Sequence, residues 1–239
     1  MKVLGLIPAR IGSSEVKKKN LRSLCGKPLV CYSIIEALKS KELHRVVLST
    51  DSEAIQRIGI KYGVEAPFLR PRNLATNETL ALPVITHCLE FLSENEGYHP
   101  DAVLYMQPTS PFRTTRHIGE SINLLKNSRA DSVISVVPVK QHPYFMFKHG
   151  GDSSLTEFVV MENKPQRRQD LPELWDASCT IMLSKTAYIL KAGKREKHFL
   201  NYRDFVPYYI NDIAAIDIDS EHDFQFAEFM MKQAQEGKG

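Results

Sequence analysis

Short apolar runs alternate with amphipathic segments through the first half of the chain. Residues 3–7 form an apolar run of strand length, and the apolar residues of 28–40 that follow have helical spacing. The same order recurs at 45–49 and 52–62. A strand–helix–strand order joins parallel strands by right-handed crossovers, and continuous apolar runs are typical of strands buried in a parallel sheet. The pattern therefore predicts an α/β protein whose sheet is mostly parallel and flanked by helices.

The remaining elements keep this alternation up to residue 137 and then change. Further strands are predicted at 64–69, 101–106 and 131–137, and further helices at 82–94 and from Thr114 or Thr115 to about 127. Residues 138–177 lack the alternation, which indicates an insert with loops, a hairpin and an edge strand at 155–160. Core elements resume with strands at 179–183, 206–210 and 214–219, a helix near 185–192 and a last helix capped by Ser220. We predict a single domain, 1–239, with an insert at about 138–177.

Charge and cysteine content exclude several classes of protein. The 31 basic and 28 acidic residues leave a formal charge of +3, which is too balanced for a dedicated nucleic-acid binder. The four cysteines show no Cys-x-x-Cys spacing, so neither a disulfide framework nor a zinc site is expected. The first apolar run ends at Pro8 and Arg10, too early for a signal peptide or a membrane span. We expect a cytoplasmic protein that binds neither nucleic acid nor membrane.

Residues 8–20 form a basic loop that contains Gly and Ser and follows the first strand. The first 30 residues hold seven Lys or Arg side chains against one acid, Glu15. Ligands of open α/β sheets bind at the carboxyl ends of the strands, where this loop begins. The spacing is neither that of a Walker loop nor that of a dinucleotide fingerprint, and a solvated surface loop is the alternative. We predict that the loop holds a polyphosphate, with Arg10 and Lys19 neutralising its charge.

A second polar cluster, Asp217-Ile218-Asp219, lies near the carboxyl end of the chain. Alternate residues of a strand point the same way, so the two carboxylates would share one face. Such a pair can hold Mg²⁺, which suits nucleotide phosphates, although a solvated strand end capped by Ser220 is the alternative. Beside a polyphosphate loop, the acid pair completes a site for phosphoryl transfer.

Two further side chains suit a sugar acid. Gln107 stands at a strand end and could exchange hydrogen bonds with hydroxyl groups, although an amide that stabilises the following turn fits equally well. Arg168, in the insert, could bind a carboxylate through two parallel hydrogen bonds, although solvated loop arginines are commoner. No Ser-His-Asp or Cys-His arrangement is evident, and the histidines lack metal-binding spacing.

Six motifs, in order along most of the chain, resemble those of the acylneuraminate cytidylyltransferases, the CMP-sialic acid synthetase family. They are Pro8-Ala9-Arg10-x-Gly12-Ser13-x5-Lys19-Asn20, Ser49-Thr50-Asp51, Leu69-Arg70-Pro71 with Leu74-Ala75, Gln107-Pro108-Thr109-Ser110-Pro111-Phe112-Arg113, Arg167-Arg168-Gln169-Asp170-Leu171-Pro172, and Asp217-Ile218-Asp219-Ser220-Glu221 with Asp223-Phe224.

The resemblance implies a Rossmann-like sheet of the nucleotide-diphospho-sugar transferase type and a homodimer formed through the insert. It implies that CTP and a nine-carbon 2-keto sugar acid react, with Mg²⁺ as cofactor, to give a CMP-sugar and pyrophosphate. Carried over by position, the catalytic residues are Arg10, Lys19 and Asp217; the nucleotide-binding residues are Arg10, Gly12, Ser13, Lys19, Asn20, Arg70 and Thr79; the sugar-binding residues are Gln107, Arg168 and Gln169; and the metal ligands are Asp217 and Asp219.

The chain departs from the family at two places. Ser14-Glu15 replaces the usual Lys-Gly of the basic loop, and Ser178-Cys179 replaces a frequent Asn-Gly near the sugar. The sugar could therefore be legionaminic or pseudaminic acid rather than ordinary sialic acid. A non-catalytic nucleotide-binding homologue and an enzyme that uses 3-deoxy-octulosonate are the alternative interpretations.

Overall fold

The structure, a computed structural model, describes residues 1–13, 15–165, 167–192 and 198–236. Its strands are β1 (Val3–Pro8), β2 (Ser23–Leu24), β3 (Lys27–Pro28), β4 (Arg45–Ser49), β5 (Ala102–Tyr105), β6 (Ser132–Pro138), β7 (Phe147–His149), β8 (Leu155–Glu157), β9 (Trp175–Lys185) and β10 (Phe205–Tyr209). Its helices are α1 (Leu29–Lys39), α2 (Glu53–Lys61), α3 (Ala81–Glu96), α4 (Thr115–Asn127), α5 (Thr186–Ala192) and α6 (Glu221–Glu236).

The main sheet has six strands in the order β10-β6-β9-β5-β1-β4. Strand β1 pairs in parallel with β4 and β5, and β10 pairs in parallel with β6. Strand β9 lies between β5 and β6 and is antiparallel to both. The prediction of a mostly parallel sheet flanked by helices is confirmed. Because β9 runs against its neighbours, its amino-terminal half lies at the edge where the parallel strands end.

Helices cover both faces of the sheet because β1 is apolar on both sides. Its alternate residues Val3 and Ile7 belong to the core under α1, α2 and α4, whereas Leu4 and Leu6 belong to the core under α3 and α5. Local signals set the helix ends. The hydroxyl of Ser52 accepts from the backbone of α2, and α2 is followed by Gly63, whose φ of 90° favours glycine.

A third, smaller core joins the two ends of the chain. It contains Val16 of the basic loop, Ile218 and residues of α6, packed against Leu24 and Leu29. Val16 is 1% exposed and Ile218 is wholly buried. Glu15 and Lys17, on either side of Val16, are exposed, and so is Asp219, which follows Ile218. This small core therefore anchors the basic loop and the acidic segment to each other.

Four details of the predicted elements are wrong. Residues 64–69 touch β4 only through two isolated bridges, because Pro67 has no N–H to continue a ladder. Residues 214–219 form a turn and an irregular segment, whose Ile218 N–H bonds to Thr109 O at 2.9 Å in a loop rather than to a neighbouring strand. In place of an edge strand at 155–160, β8 pairs with β7 in a separate hairpin. The main sheet resumes at Trp175, opposite Pro138, rather than at 179.

Among the described residues, no helix is long and apolar enough to cross a membrane.

Candidate active site

A cleft of about 490 Å³ opens at the edge of the sheet where β1 and β5 end. It collects side chains from segments that are far apart in sequence. The predicted residues that line it are Arg10, Gly12, Ser13, Lys19, Asn20, Arg70, Thr79, Gln107, Asp217 and Asp219. The topology therefore brings ten of the twelve predicted site residues to one cavity.

Hydrogen bonds hold the basic loop in one path. The amide of Asn20 donates to the carbonyl of Arg10 at 2.8 Å, and the Ile11 N–H donates to Asp51 at 2.9 Å. The guanidinium of Arg10 donates to the Asn77 side chain at 2.5 Å, so the loop before α3 supports it from across the cleft. These contacts fix the direction of a cation that lines the cavity.

Lys19 connects the basic loop with the acidic segment. Its ammonium group donates to the carbonyl oxygen of Ile218 at 2.6 Å and lies 3.4 Å from Oδ1 of Asp219. Its backbone N–H donates to the Ser13 hydroxyl at 3.1 Å. The shared burial of Val16 and Ile218 explains this approach. The loop and the segment thus place a cation and two carboxylates at one side of the cleft.

The two carboxylates differ in their surroundings. Asp219 is exposed, whereas Asp217 is largely buried, and burial raises the pKa of Asp217 despite a hydrogen bond from Thr109 that lowers it. Its Oδ1 is buried and has no hydrogen-bond partner among the described residues. A buried oxygen without a donor is suited to a cation, and Mg²⁺ takes one or two carboxylates together with waters and substrate phosphates. The acid pair therefore fits this metal.

Arg70 lines the opposite part of the cleft. Its side chain is 5% exposed, and neither Nε nor Nη2 has a hydrogen-bond partner among the described residues. Burial lowers its pKa, and the charge of nearby Arg10 adds to this effect. Unpaired guanidinium donors in a buried position favour a ligand that brings acceptor atoms to them. Thr79, by contrast, is engaged in its own loop, where its hydroxyl accepts from Thr76 N at 3.2 Å.

Ten cleft residues were not among the predicted site residues, although the family resemblance places Glu15 in the phosphate-binding loop and Cys179 near the sugar. The ten residues are Pro8, Glu15, Leu74, Thr76, Asn77, Val84, Tyr105, Pro108, Thr109 and Cys179. Tyr105 ends a strand that points at the cleft, and that position was a usable signal. Cys179 reaches the cleft because of the way β9 pairs with its neighbours, and no local sequence pattern reveals that pairing. Burial raises the pKa of its thiol, and of the Tyr105 hydroxyl, to about 12, so both are protonated at neutral pH.

Arg168 and Gln169 do not line the cleft of their own chain. They lie in a short 3₁₀ helix of the insert, and both side chains are exposed. Their predicted contact with the sugar stays a prediction that requires a second subunit. Ser14 lies outside the described residues, whereas Glu15 is exposed and lines the cleft. The described part of the chain contains no group of three or more His, Cys, Asp or Glu side chains that could hold a metal ion.

The fold and the cleft are those of a nucleotidyltransferase: an open α/β sheet with a cationic loop and an acid pair facing each other at its carboxyl edge. Residues 4–214 match the family model described as cytidylyltransferase. The chain belongs to the cytidylyltransferase family.

Individual relatives agree with this assignment. The chain is 32% identical to the CMP-N,N'-diacetyllegionaminic acid synthase of Legionella pneumophila, over 99% of each protein. It is 30% identical to the N-acylneuraminate cytidylyltransferase of Escherichia coli, over 95% of this chain and 51% of that protein. A solved CMP:2-keto-3-deoxy-manno-octonic acid synthetase complexed with CTP superposes with a TM-score of 0.73, over 98% of this chain and 100% of that one. At 13% sequence identity, this structural likeness shows a common fold and nothing more.

Proposed function

We propose that the chain joins CTP and a nonulosonic acid to give a CMP-sugar and pyrophosphate. The observation that carries this proposal is the junction of Lys19 with the acidic segment inside a cleft at the carboxyl edge of the sheet. A cation and an acid pair at one side of a cavity suit a triphosphate and its metal ion.

The names of the relatives support a nonulosonic acid as the acceptor. Two of the relatives, which match at 32% and 30% identity over 99% and 95% of this chain, are named for legionaminic and acylneuraminic acids. The synthetase named for an octonic acid matches at 13% identity, which speaks for the fold and not for the substrate. We therefore favour the nine-carbon acids, and a legionaminic-type acid first, over 3-deoxy-octulosonate.

The nucleotide occupies the cleft between the basic loop and Arg70. The free donors of Arg70 suit two neighbouring acceptors, such as O2 and N3 of cytosine, and Asn20 lies beside the nucleotide. Arg10 and Lys19 bind the phosphates, with Gly12 and Ser13 beside them. Asp217 and Asp219 hold Mg²⁺, which supplies further positive charge for the phosphate oxygens.

The reaction is attack of the anomeric hydroxyl of the sugar on the α-phosphorus of CTP, with loss of pyrophosphate. Gln107 orients the hydroxyl groups of the sugar from the end of β5. Lys19 and Arg10 stabilise the charge on the phosphoryl oxygens and the departing pyrophosphate. Asp217 is our candidate acceptor for the hydroxyl proton, because it is a carboxylate that lines the cleft.

The insert completes the site by forming a homodimer. The hairpin of the insert and the residues on either side of it expose large apolar side chains, namely Phe145, Met146, Phe147, Leu155, Phe158, Val160 and Met161. Apolar residues grouped in this way favour contact with another protein surface. In the proposed dimer, Arg168 and Gln169 reach the cleft of the partner subunit and bind the carboxylate of the sugar. We place this dimer in the cytoplasm, where CTP is available.

The test is pyrophosphate release from CTP and Mg²⁺ with a panel of nonulosonic acids and 3-deoxy-octulosonate. We expect release with at least one nonulosonic acid, and a loss of about 10²–10³ in rate in Lys19→Met. Lys17→Met is the matched control, because Lys17 is an exposed lysine of the same loop that does not line the cleft. Binding of CTP without release of pyrophosphate would support a non-catalytic nucleotide-binding homologue. Release with 3-deoxy-octulosonate alone would support an enzyme that uses that sugar acid.

A further inference from the structure

Arg113 lies directly behind one wall of the cleft and is only 2% exposed. Buried cations are ordinarily paired with a carboxylate, because removing a charge from water is costly. The charge of Asp217 acts on the guanidinium from a distance, but the hydrogen bonds of the guanidinium go to neutral acceptors on three segments: Thr180 O at 2.6 Å, Gln107 O at 2.9 Å, Ser33 Oγ at 3.0 Å and Cys179 O at 3.5 Å. A buried cation whose hydrogen bonds go to neutral groups is unusual in a structural core and is more typical of a functional site.

The guanidinium occupies a gap that an irregularity in β9 opens. Ser135 of β6 pairs with Ser178, but its neighbour Ile134 pairs with Met182, so residues 179–181 bulge out of the strand pairing with β6. The carbonyls of the first two of these residues accept from the guanidinium, and the side chain of the first lines the cleft. Bulges beside active sites commonly redirect side chains in this way.

Two further hydrogen bonds join the bulge and the loop after β5 to a third segment, the residues before α6, so that the three segments form a ring. The Thr180 hydroxyl donates to Ala214 O at 2.7 Å, which links the bulge to the segment before α6. The Ile218 N–H donates to Thr109 O at 2.9 Å, which links that segment to the loop after β5. The guanidinium closes the ring, because it joins the loop after β5 to the bulge. Each of the three segments supplies side chains to the cleft.

We propose that Arg113 is a positioning residue for the sugar acid: its planar fork fixes the spacing between Gln107 and Cys179 across the sugar end of the cleft. This inference rests on the proposed function. The basic loop, which carries Arg10 and Lys19, makes no hydrogen bond to this guanidinium. The ring also includes the segment of Asp217 and Asp219, but that segment is joined to it through Thr180 and Thr109 rather than by a hydrogen bond to the guanidinium, so we expect a change at Arg113 to affect the sugar more than CTP. A lysine retains the charge but lacks the fork, so it does not replace the arginine.

The experiment compares Arg113→Lys, Ser33→Ala and a control, Ser132→Ala, in the full chain. Ser33→Ala removes one acceptor of the guanidinium from the side away from the cleft, together with the bond from the Ser33 hydroxyl to Gln107 O at 3.3 Å, so it loosens the same link between the guanidinium and Gln107. Ser132 is equally buried and hydrogen-bonded, to Ser184 at 3.0 Å, but does not line the cleft. The readouts are thermal unfolding, kcat, and the KM values for CTP and for the acid that the wild type uses best.

We expect Ser33→Ala to raise the KM for the sugar about threefold and Arg113→Lys about tenfold or more, with the KM for CTP changed less than about twofold. Ser132→Ala loses stability but keeps both KM values. If Arg113→Lys does not fold, the KM values of Ser33→Ala decide the matter. Equal changes in both KM values, or variants that match Ser132→Ala, would overturn the inference. A wild-type chain that releases no pyrophosphate with any acid would instead overturn the proposed function, and this inference with it.

Discussion

Truncation of Ile218 tests whether the small core that joins the chain ends also positions the acid pair. Ile218 is wholly buried in that core, between Asp217 and Asp219. Ile218→Ala removes three carbon atoms from a packed site, and such truncations cost about 2–5 kcal/mol of the free energy of unfolding. Met231→Ala is the matched control, because Met231 is 8% exposed in the same core but lies on α6, away from the carboxylates. A similar loss of about 2–5 kcal/mol is expected there.

The two variants should differ in their response to metal. We expect Ile218→Ala to need about tenfold more Mg²⁺ for half-maximal activity, equivalent to about 1.4 kcal/mol of lost positioning, whereas Met231→Ala stays close to wild type. Urea unfolding measures the stability of each variant, and Mg²⁺ titration of pyrophosphate release measures the metal response. If both variants lose stability and share the wild-type Mg²⁺ dependence, Ile218 supports the fold without positioning the carboxylates, and the reasoning is refuted.

Four further changes test separate parts of the cleft. Glu15→Gln should lower the KM for CTP about two- to fivefold, because it removes an exposed negative charge from the cavity; an unchanged KM would place the triphosphate elsewhere. Arg70→Lys should raise the KM for CTP about ten- to a hundredfold, since two buried donors lose their geometry, and calorimetry with CTP and UTP would show whether base discrimination falls as well. Arg168→Ala should raise the KM for the sugar about tenfold and leave that for CTP unchanged; a normal KM for the sugar would remove its assigned role. Val160→Glu, at a position that is 82% exposed in the insert, should convert a dimer to a monomer in sedimentation velocity, and a persistent dimer would exclude this surface.

The sequence was sufficient for those elements that local chemistry determines. The apolar run of β1, the hydroxyl at Ser52 and the glycine at Gly63 each act within a few residues, and the corresponding strand and helix were predicted. Residues 64–69 have a similar composition, but a strand also needs a partner that can bond to it. Pro67 interrupts that pairing, so two isolated bridges remain.

The cleft was predictable where its residues stand at strand ends or in motifs. Lys19 and the acid pair were assigned to one site, and the structure brings the Lys19 ammonium within 3.4 Å of Oδ1 of Asp219. The geometric reason given for the acid pair was wrong, because Asp217 and Asp219 lie in an irregular segment rather than a strand. Ile218 still separates a largely buried carboxylate from an exposed one. The burial of this residue beside Val16 depends on packing between the two ends of the chain, which no short pattern contains.

The contacts of Arg113 also depend on packing that no short sequence pattern contains. Its motif was recognised, but its contacts depend on three extra residues in β9 that bulge out of the strand pairing with β6. Strand register is a property of the folded sheet and is not set by the residues next to Arg113 in sequence. The resemblance therefore identified the segment, and the structure supplied the reason for an arginine at that position.

Phosphorus NMR of one reaction mixture is the most direct test of the central claim, that this cleft transfers the cytidylyl group of CTP to a nonulosonic acid. The mixture contains the protein, CTP, Mg²⁺ and the acid. The account predicts that the three CTP resonances are replaced by a phosphodiester signal and a pyrophosphate signal that grow together in a one-to-one molar ratio, and that neither appears without the acid. Formation of CDP and inorganic phosphate, or loss of CTP at the same rate without the acid, would contradict attack of the sugar hydroxyl on the α-phosphorus.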